Sequence, residues 1–167
     1  MSGEVKPPAL SPSLLADLYQ HAREGYPEEI CGLLRGPRGA DPDEVVRCVN
    51  RQNELHARDP ARYPRTAREA YNMGLDDITL LDQSLNGPRP VQVIYHSHVD
   101  VGAYYSADDK LLAAPPGWDP LYPGVDYLVI DAQAHGVQGA KLFRCTGDDF
   151  IAIAELPGDG PDEARGS

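Results

Sequence analysis

Cysteine is scarce: three residues, Cys31, Cys48 and Cys145, in a chain of 167. They are odd in number, far apart and set in apolar, strand-like contexts, which suits reduced, buried thiols and excludes both a disulfide framework and a Cys-x-x-Cys metal site. Zinc deaminases are excluded with them, because that chemistry needs His-x-Glu and Pro-Cys-x-x-Cys, and neither occurs. Long apolar runs are lacking too. No stretch approaches the ~20 residues of a membrane span, and the opening Met1-Ser2-Gly3-Glu4-Val5-Lys6-Pro7-Pro8 has no apolar core of the signal-peptide kind, so the cytoplasm is the expected compartment. Positive charge is in short supply, with 15 Lys and Arg against 26 Asp and Glu, a formal net charge of −11 and no basic run. Nucleic acid is therefore not an expected partner, since phosphate binding needs a clustered positive footprint. The acidity serves solubility and could steer a basic partner surface.

What remains is enough for one folded domain with a single core. Ser11 and Pro12 open an amphipathic helix that ends near Gly25-Tyr26-Pro27. Residues 29–35 and 44–49 read as strands around a Gly/Pro-rich turn. Residues 51–65 read as polar loop, 68–73 are ambiguous, and 75–85 read as a helix with Ile78, Leu81 and Leu85 on one face. Residues 91–95 form a β-branched, breaker-free strand, and 106–114 a short helix stopped by Pro115-Pro116-Gly117. Residues 126–131, 139–144 and 150–154 are three more strands. The expected architecture is α/β, one domain over 11–156 with a central sheet between helices, a flexible 1–10 and a disordered tail, 157–167. His21, His56 and His135 are expected at the surface, having no ligand-type neighbour at useful spacing. Trp118, the only tryptophan, sits in a Pro/Gly-rich loop where covering the core and lining a groove are both open readings.

The residues that can carry chemistry follow the strand at 91–95. A strand sends residues two apart to one face, so His96 and His98 project together. Past them the pattern breaks around Gly102, and Ser106-Ala107-Asp108-Asp109 looks like a helix opening with Asp109 in its first turn. Two imidazoles and a carboxylate would leave one position open on a zinc ion, the arrangement of a catalytic site; Fe²⁺, Co²⁺ and Mn²⁺ are compatible with the same donors. Ser106-x-x-Asp109 is also close to a capping box, and a cap can coexist with a ligand because it holds the aspartate rigidly.

Taken together, His96-Ser97-His98, the seven residues 99–105, Ser106 and Asp109 resemble the motif of the JAMM, or MPN+, metalloprotease family. The family's upstream glutamate is matched by Glu29 within Pro27-Glu28-Glu29-Ile30-Cys31-Gly32-Leu33-Leu34-Arg35-Gly36. Val99 and Tyr105 stand where the family often has proline, in the loop that shapes the substrate groove. The resemblance implies a cytidine-deaminase-like MPN fold with a mixed, mostly antiparallel sheet. It implies one catalytic Zn²⁺ held by His96, His98 and Asp109, Glu29 as general acid/base and Ser106 as an oxyanion donor. The implied activity is a zinc metallopeptidase or isopeptidase acting at the Gly-Gly tail of a ubiquitin-like or sulfur-carrier protein. Only 66 residues separate Glu29 from His96, which favours the compact prokaryotic type. A non-catalytic scaffold and a small-molecule amidohydrolase are the alternatives.

Overall fold

The computed structural model describes residues 6–114, 121–147 and 149–159. Helix α1 (Pro12–Gly25) starts where Ser11 caps it, the Ser11 hydroxyl accepting from the Leu14 N–H at 3.2 Å. Six strands follow, β1 (Cys31–Arg35), β2 (Glu44–Cys48), β3 (Val91–Val99), β4 (Asp126–Gln133), β5 (Gly136–Cys145) and β6 (Phe150–Pro157). Between them lie α2 (Gln52–Arg58), α3 (Leu75–Ser84) and α4 (Ala107–Ala113). The strands form one sheet in the order β2-β1-β3-β4-β5-β6. Every neighbouring pair is antiparallel except β3 and β4, whose parallel pairing requires the crossover that carries α4. This is the mixed, mostly antiparallel sheet the sequence led us to expect.

Alternation along the strands divides the core. Leu34, Val93, Tyr95, Leu128 and Ile130 pack with Leu14, Leu18, Tyr19 and Ala22 of α1 on one face. Cys31, Leu33, Ile94 and Val129 pack with Leu81 of α3, Ala113 of α4 and Tyr71 on the other. Strand β3 is therefore covered on both sides, and eight of its nine residues are buried, Gln92 being the exception. Gly32 stands opposite Tyr95, and a Cβ there would lie 2.4 Å from the tyrosine ring, so only glycine allows this aromatic to cross over β1.

Three sequence expectations change. Residues 52–58 are helical, not loop. His21 is half-buried, its Nδ1 lying 2.7 Å from the Tyr95 hydroxyl; burial, with Arg47 nearby, lowers its pKa to about 4 and keeps the ring neutral. The ordered chain also runs past residue 156, since β6 includes Pro157, whose carbonyl accepts from Tyr19 at 2.7 Å, and the Asp159 N–H donates to the Val137 carbonyl at 2.9 Å. Residues 160–167 of the expected tail, the Pro115-Pro116-Gly117 stop and Trp118 lie outside the described residues. His135 is exposed in the β4–β5 turn as anticipated, and the three cysteines are free, with Cys31 and Cys48 buried and facing each other across β1 and β2. Among the described residues, no helix is long and apolar enough to cross a membrane.

Candidate metal centre

His96 and His98 occupy the last turns of the pleat in β3, on the face covered by Tyr71 and α4. His96 is fully buried, and Tyr71 stacks on its ring with centroids 4.4 Å apart. The Tyr104 ring meets His98 edge-on at 4.8 Å. The third residue arrives with α4. Ser106 caps this helix through a reciprocal box, its hydroxyl accepting from the Asp109 N–H at 3.0 Å while Asp109 Oδ2 accepts from the Ser106 N–H at 3.0 Å. The box fixes Asp109 so that Oδ2 lies 3.2 Å from the Nε2 atoms of both histidines. Among the described residues, His96, His98 and Asp109 form the one group able to hold a metal, with ligand atoms all within 4.8 Å of one another.

The hydrogen bonding indicates what this group accommodates. His98 Nδ1 is 3.0 Å from the Gly102 carbonyl, which can only accept, so Nδ1 carries a proton and Nε2 is the nitrogen left to face Asp109 Oδ2, at 3.2 Å. A ring nitrogen and a carboxylate oxygen at that distance share either a proton or a cation. Burial lowers the pKa of His96 and opposes protonation there, although Asp109 pulls the other way. Among the described residues, neither His96 nitrogen has a hydrogen-bond partner, and Nε2, despite lying 3.2 Å from Asp109, is not aligned for one. Orphaned nitrogens in a fully buried ring are costly unless something coordinates them. Bonds of ~2.0–2.1 Å to a tetrahedral ion would set ligand atoms roughly 3.3 Å apart. The donor set therefore fits a zinc ion, with the Gly102 carbonyl selecting the tautomer that leaves Nε2 of His98 available.

Glu29 reaches this site from the chain entering β1. Cys31 pairs with His96, and the exchange between residues 30 and 97 continues the register, the Ser97 N–H donating to the Ile30 carbonyl at 3.0 Å and the Ile30 N–H to Ser97 Oγ at 2.9 Å. One step further brings Glu29 level with His98 on the same face. Its backbone is pinned from the other side, the Glu29 N–H donating to the Ala67 carbonyl at 2.7 Å and Asn50 Nδ2 to the Glu29 carbonyl at 2.9 Å. Asn50 spends its remaining capacity on the Ala70 carbonyl and on the N–H groups of Gln52 and Asn72. The carboxyl is buried, and that burial, reinforced by the charge of Asp109, pushes its pKa up to about 9.

Glu29, His98 and Ser106 line a cleft of about 280 Å³, so the expected site residues come together at one surface opening, with His96 and Asp109 behind. Tyr105 is buried against Tyr127, Phe143 and Phe150 and serves packing, whereas Tyr104 is exposed at the cleft. Tyr71, Gly102 and Asn50 were not found by sequence reasoning. A larger cleft, about 720 Å³, opens at the other end of β3 and β4, but its buried carboxylate, Asp126, is already paired with Arg144 at 2.9 Å.

An α/β domain that gathers a His-x-His strand end and a Ser-x-x-Asp helix cap at one cleft is of the JAMM/MPN class. Residues 11–145 match the model of the prokaryotic homologs of the JAB domain, and the chain belongs to that family. It is similar to the CysO-cysteine peptidases of Mycobacterium tuberculosis and Mycobacterium bovis, 33% identical over 106 residues that cover 62% of this chain and 63% of each relative. The chain thus spans a little under two thirds of the length of these curated relatives. A protein of Desulfitobacterium hafniense solved in solution shares the fold at a TM-score of 0.59 and 24% identity, over 85% of this chain and 86% of that one. A Salinibacter ruber protein does so at 0.55 and 22%, over 90% and 93%.

Proposed function

We propose that the chain is a zinc-dependent peptidase that hydrolyses a bond at the C-terminal Gly-Gly tail of a sulfur-carrier or other ubiquitin-like protein. His96, His98 and Asp109 would hold the ion. When bound, zinc supplies a water whose pKa falls towards ~7 and polarises the scissile carbonyl. Glu29 would accept the proton of the attacking water and return it to the leaving amine; burial holds its carboxyl above the ordinary range without metal, and the charge of a bound ion would draw it back down so that it can accept. Ser106 uses its hydroxyl oxygen as an acceptor within the cap, so its O–H is available to donate to the developing oxyanion. The net reaction breaks the C–N bond and one O–H bond of water, adding the hydroxyl to the carbonyl carbon and the proton, carried by Glu29, to the amine nitrogen.

The observation that carries this reading is Nε2 of His98 facing Asp109, with Nδ1 turned to the Gly102 carbonyl, in the cleft that Glu29 also lines. An opening flanked by exposed Val101 and Tyr104 suits an extended tail better than an enclosed small molecule. The names of the mycobacterial relatives support a carrier substrate. Zinc-loaded protein is expected to release the last residue from a carrier protein or peptide ending Gly-Gly-Cys, and a chelator is expected to stop it. Cleavage that survives complete removal of metal would overturn the reading.

Gly102 gives a test that does not depend on turnover. Its φ of 96° is a backbone conformation that L side chains rarely adopt, while a Cβ would meet nothing within 4 Å, so Gly102→Ala acts through backbone strain alone. Shifting the carbonyl that holds His98 Nδ1 is expected to weaken zinc binding about 10-fold, the lower end for loss of a ligand's supporting hydrogen bond. Competition with a chromophoric chelator measures this; unchanged affinity would remove Gly102 from the site.

A further inference from the structure

The metal and Glu29 do not account for two cations on the cleft wall. Arg65 and Arg68 line it beside Glu29. They belong to the segment whose Ala67 carbonyl accepts the Glu29 N–H, and the Ala67 N–H is itself held by Asn53 Oδ1 at 2.8 Å. Arg65 is close enough to Glu29 for its charge to oppose the rise of that carboxyl's pKa. Val101 and Tyr104 line the same cleft. The two arginines stand on the segment that is hydrogen-bonded to Glu29 and so lie beside the proton donor.

Their position bears on the leaving group. The departing amine must come within hydrogen-bond reach of Glu29 to be protonated. If it is the α-amine of a C-terminal residue, its free carboxylate is only two bonds from the nitrogen and must lie against the same wall. Glu29, Glu69, Asp108 and Asp109 would repel it there, and Arg65 and Arg68 are the cationic side chains among the described residues lining this cleft. A lysine ε-amine leaving from an isopeptide brings no carboxylate to that spot. We propose that Arg65 and Arg68 form the receptor for the α-carboxylate of the residue released, so that the enzyme cuts linear tails one residue from their end.

The present partners of both arginines can be exchanged. Arg65 Nε bonds Asp108 Oδ2 at 2.9 Å, and Arg68 Nη2 lies 3.7 Å from Asp100 Oδ2, with all four side chains well exposed. Exposed pairs of this kind contribute little net stability, so a substrate carboxylate displaces them at small cost. A planar guanidinium can then take the carboxylate with two parallel bonds, which an ammonium cannot.

The inference rests on the peptidase reading but is tested separately from it. Two synthetic peptides ending Gly-Gly-Cys, one with a free carboxylate and one amidated, are compared in two assays. In the first, the zinc-loaded native protein is expected to cleave the acid with a kcat/KM about 10–100-fold above that of the amide, and the ratio is expected to fall towards one in Arg65→Gln/Arg68→Gln. Arg65→Lys/Arg68→Lys should keep part of it. In the second, fluorescence anisotropy measures binding of both peptides to Glu29→Gln, with and without the arginine substitutions, so no turnover is required. Equal binding of acid and amide, no binding of the acid, or a preference that persists without both arginines would overturn the inference. Failure of the native protein to cleave either peptide, with an arginine-dependent preference in binding, would instead overturn the peptidase reading and leave the carboxylate receptor standing.

Discussion

Glu29→Gln is expected to retain about one zinc per chain and to lose turnover by a factor on the order of 10²–10⁴, the range associated with a positioned general acid or base. Glutamine matches the shape of the side chain but cannot accept and return a proton. The backbone bonds to Ala67 and Asn50 do not involve the carboxyl and should survive the change. KM should move little, because the group acts on the proton of the attacking water. Full activity in this variant would remove Glu29 from the mechanism, whereas loss of zinc together with activity would make it a structural support of the ligands.

The same substitution has a second consequence, readable with no substrate present. In chelator-treated protein the Glu29 carboxyl has a pKa of about 9 against an ordinary 4.5, raised by burial first and by Asp109 second. A carboxyl with a raised folded-state pKa gives its full contribution below about 4.5, where both states are protonated. That contribution is lost as pH climbs towards 9, because the unfolded chain gives up the proton earlier. The slope is about 1.4 kcal/mol per pH unit. Glutamine does not titrate. The melting temperature of metal-free Glu29→Gln relative to the native protein should therefore rise by roughly 8–16 °C from pH 5 to pH 8, about 4 kcal/mol at ~2–4 °C per kcal/mol for a chain of this size. A gap that does not change with pH would mean that Glu29 is not held protonated by its surroundings.

How much of this was legible in the sequence depends on how local each cause is. The projection of His96 and His98 to one face follows from strand periodicity, and the Ser106–Asp109 box from helix-start chemistry, so both could be read from a few adjacent residues. Glu29 could be chosen over Glu28 only through the family resemblance. Its place level with His98 is produced by β1–β3 pairing across more than sixty residues and by Asn50, whose four bonds have no counterpart in any short pattern. Helix α2 escaped detection because Arg51 offers no side-chain cap and only Gln52 is buried, leaving neither a start pattern nor an apolar face. His21 looked like a surface residue because its partner, Tyr95, reaches it only through the space left above Gly32. Arg65 falls at the end of a stretch that reads as polar loop and Arg68 in one that is ambiguous, and their meaning depends on the Ala67 bond that draws their segment along Glu29.

Asp109→Asn should separate the two roles of one carboxylate, lowering zinc affinity by more than 100-fold while leaving the metal-free fold nearly as stable. Burial works to raise the Asp109 pKa, but His96, the contacts from His96 and His98, and the Ser106 N–H outweigh it and hold the group ionised well below the usual carboxylate range. Its negative charge is thus present at neutral pH for a cation to use. Asparagine keeps an oxygen that can accept the Ser106 N–H, so the capping box and α4 persist. What disappears is the charge, whose interaction with a helix N-terminus amounts to about 0.3–1 kcal/mol. In chelator the melting temperature should therefore fall by only ~1–4 °C. Zinc, in contrast, loses its one anionic ligand, and the effect should exceed the 10–100-fold typical of removing a mere supporting hydrogen bond. Zinc affinity measured by competition and melting measured in chelator give the two numbers independently. A variant that binds zinc as tightly as the native protein would leave Asp109 as a helix cap alone; one that unfolds without metal would show that the cap depends on the charge.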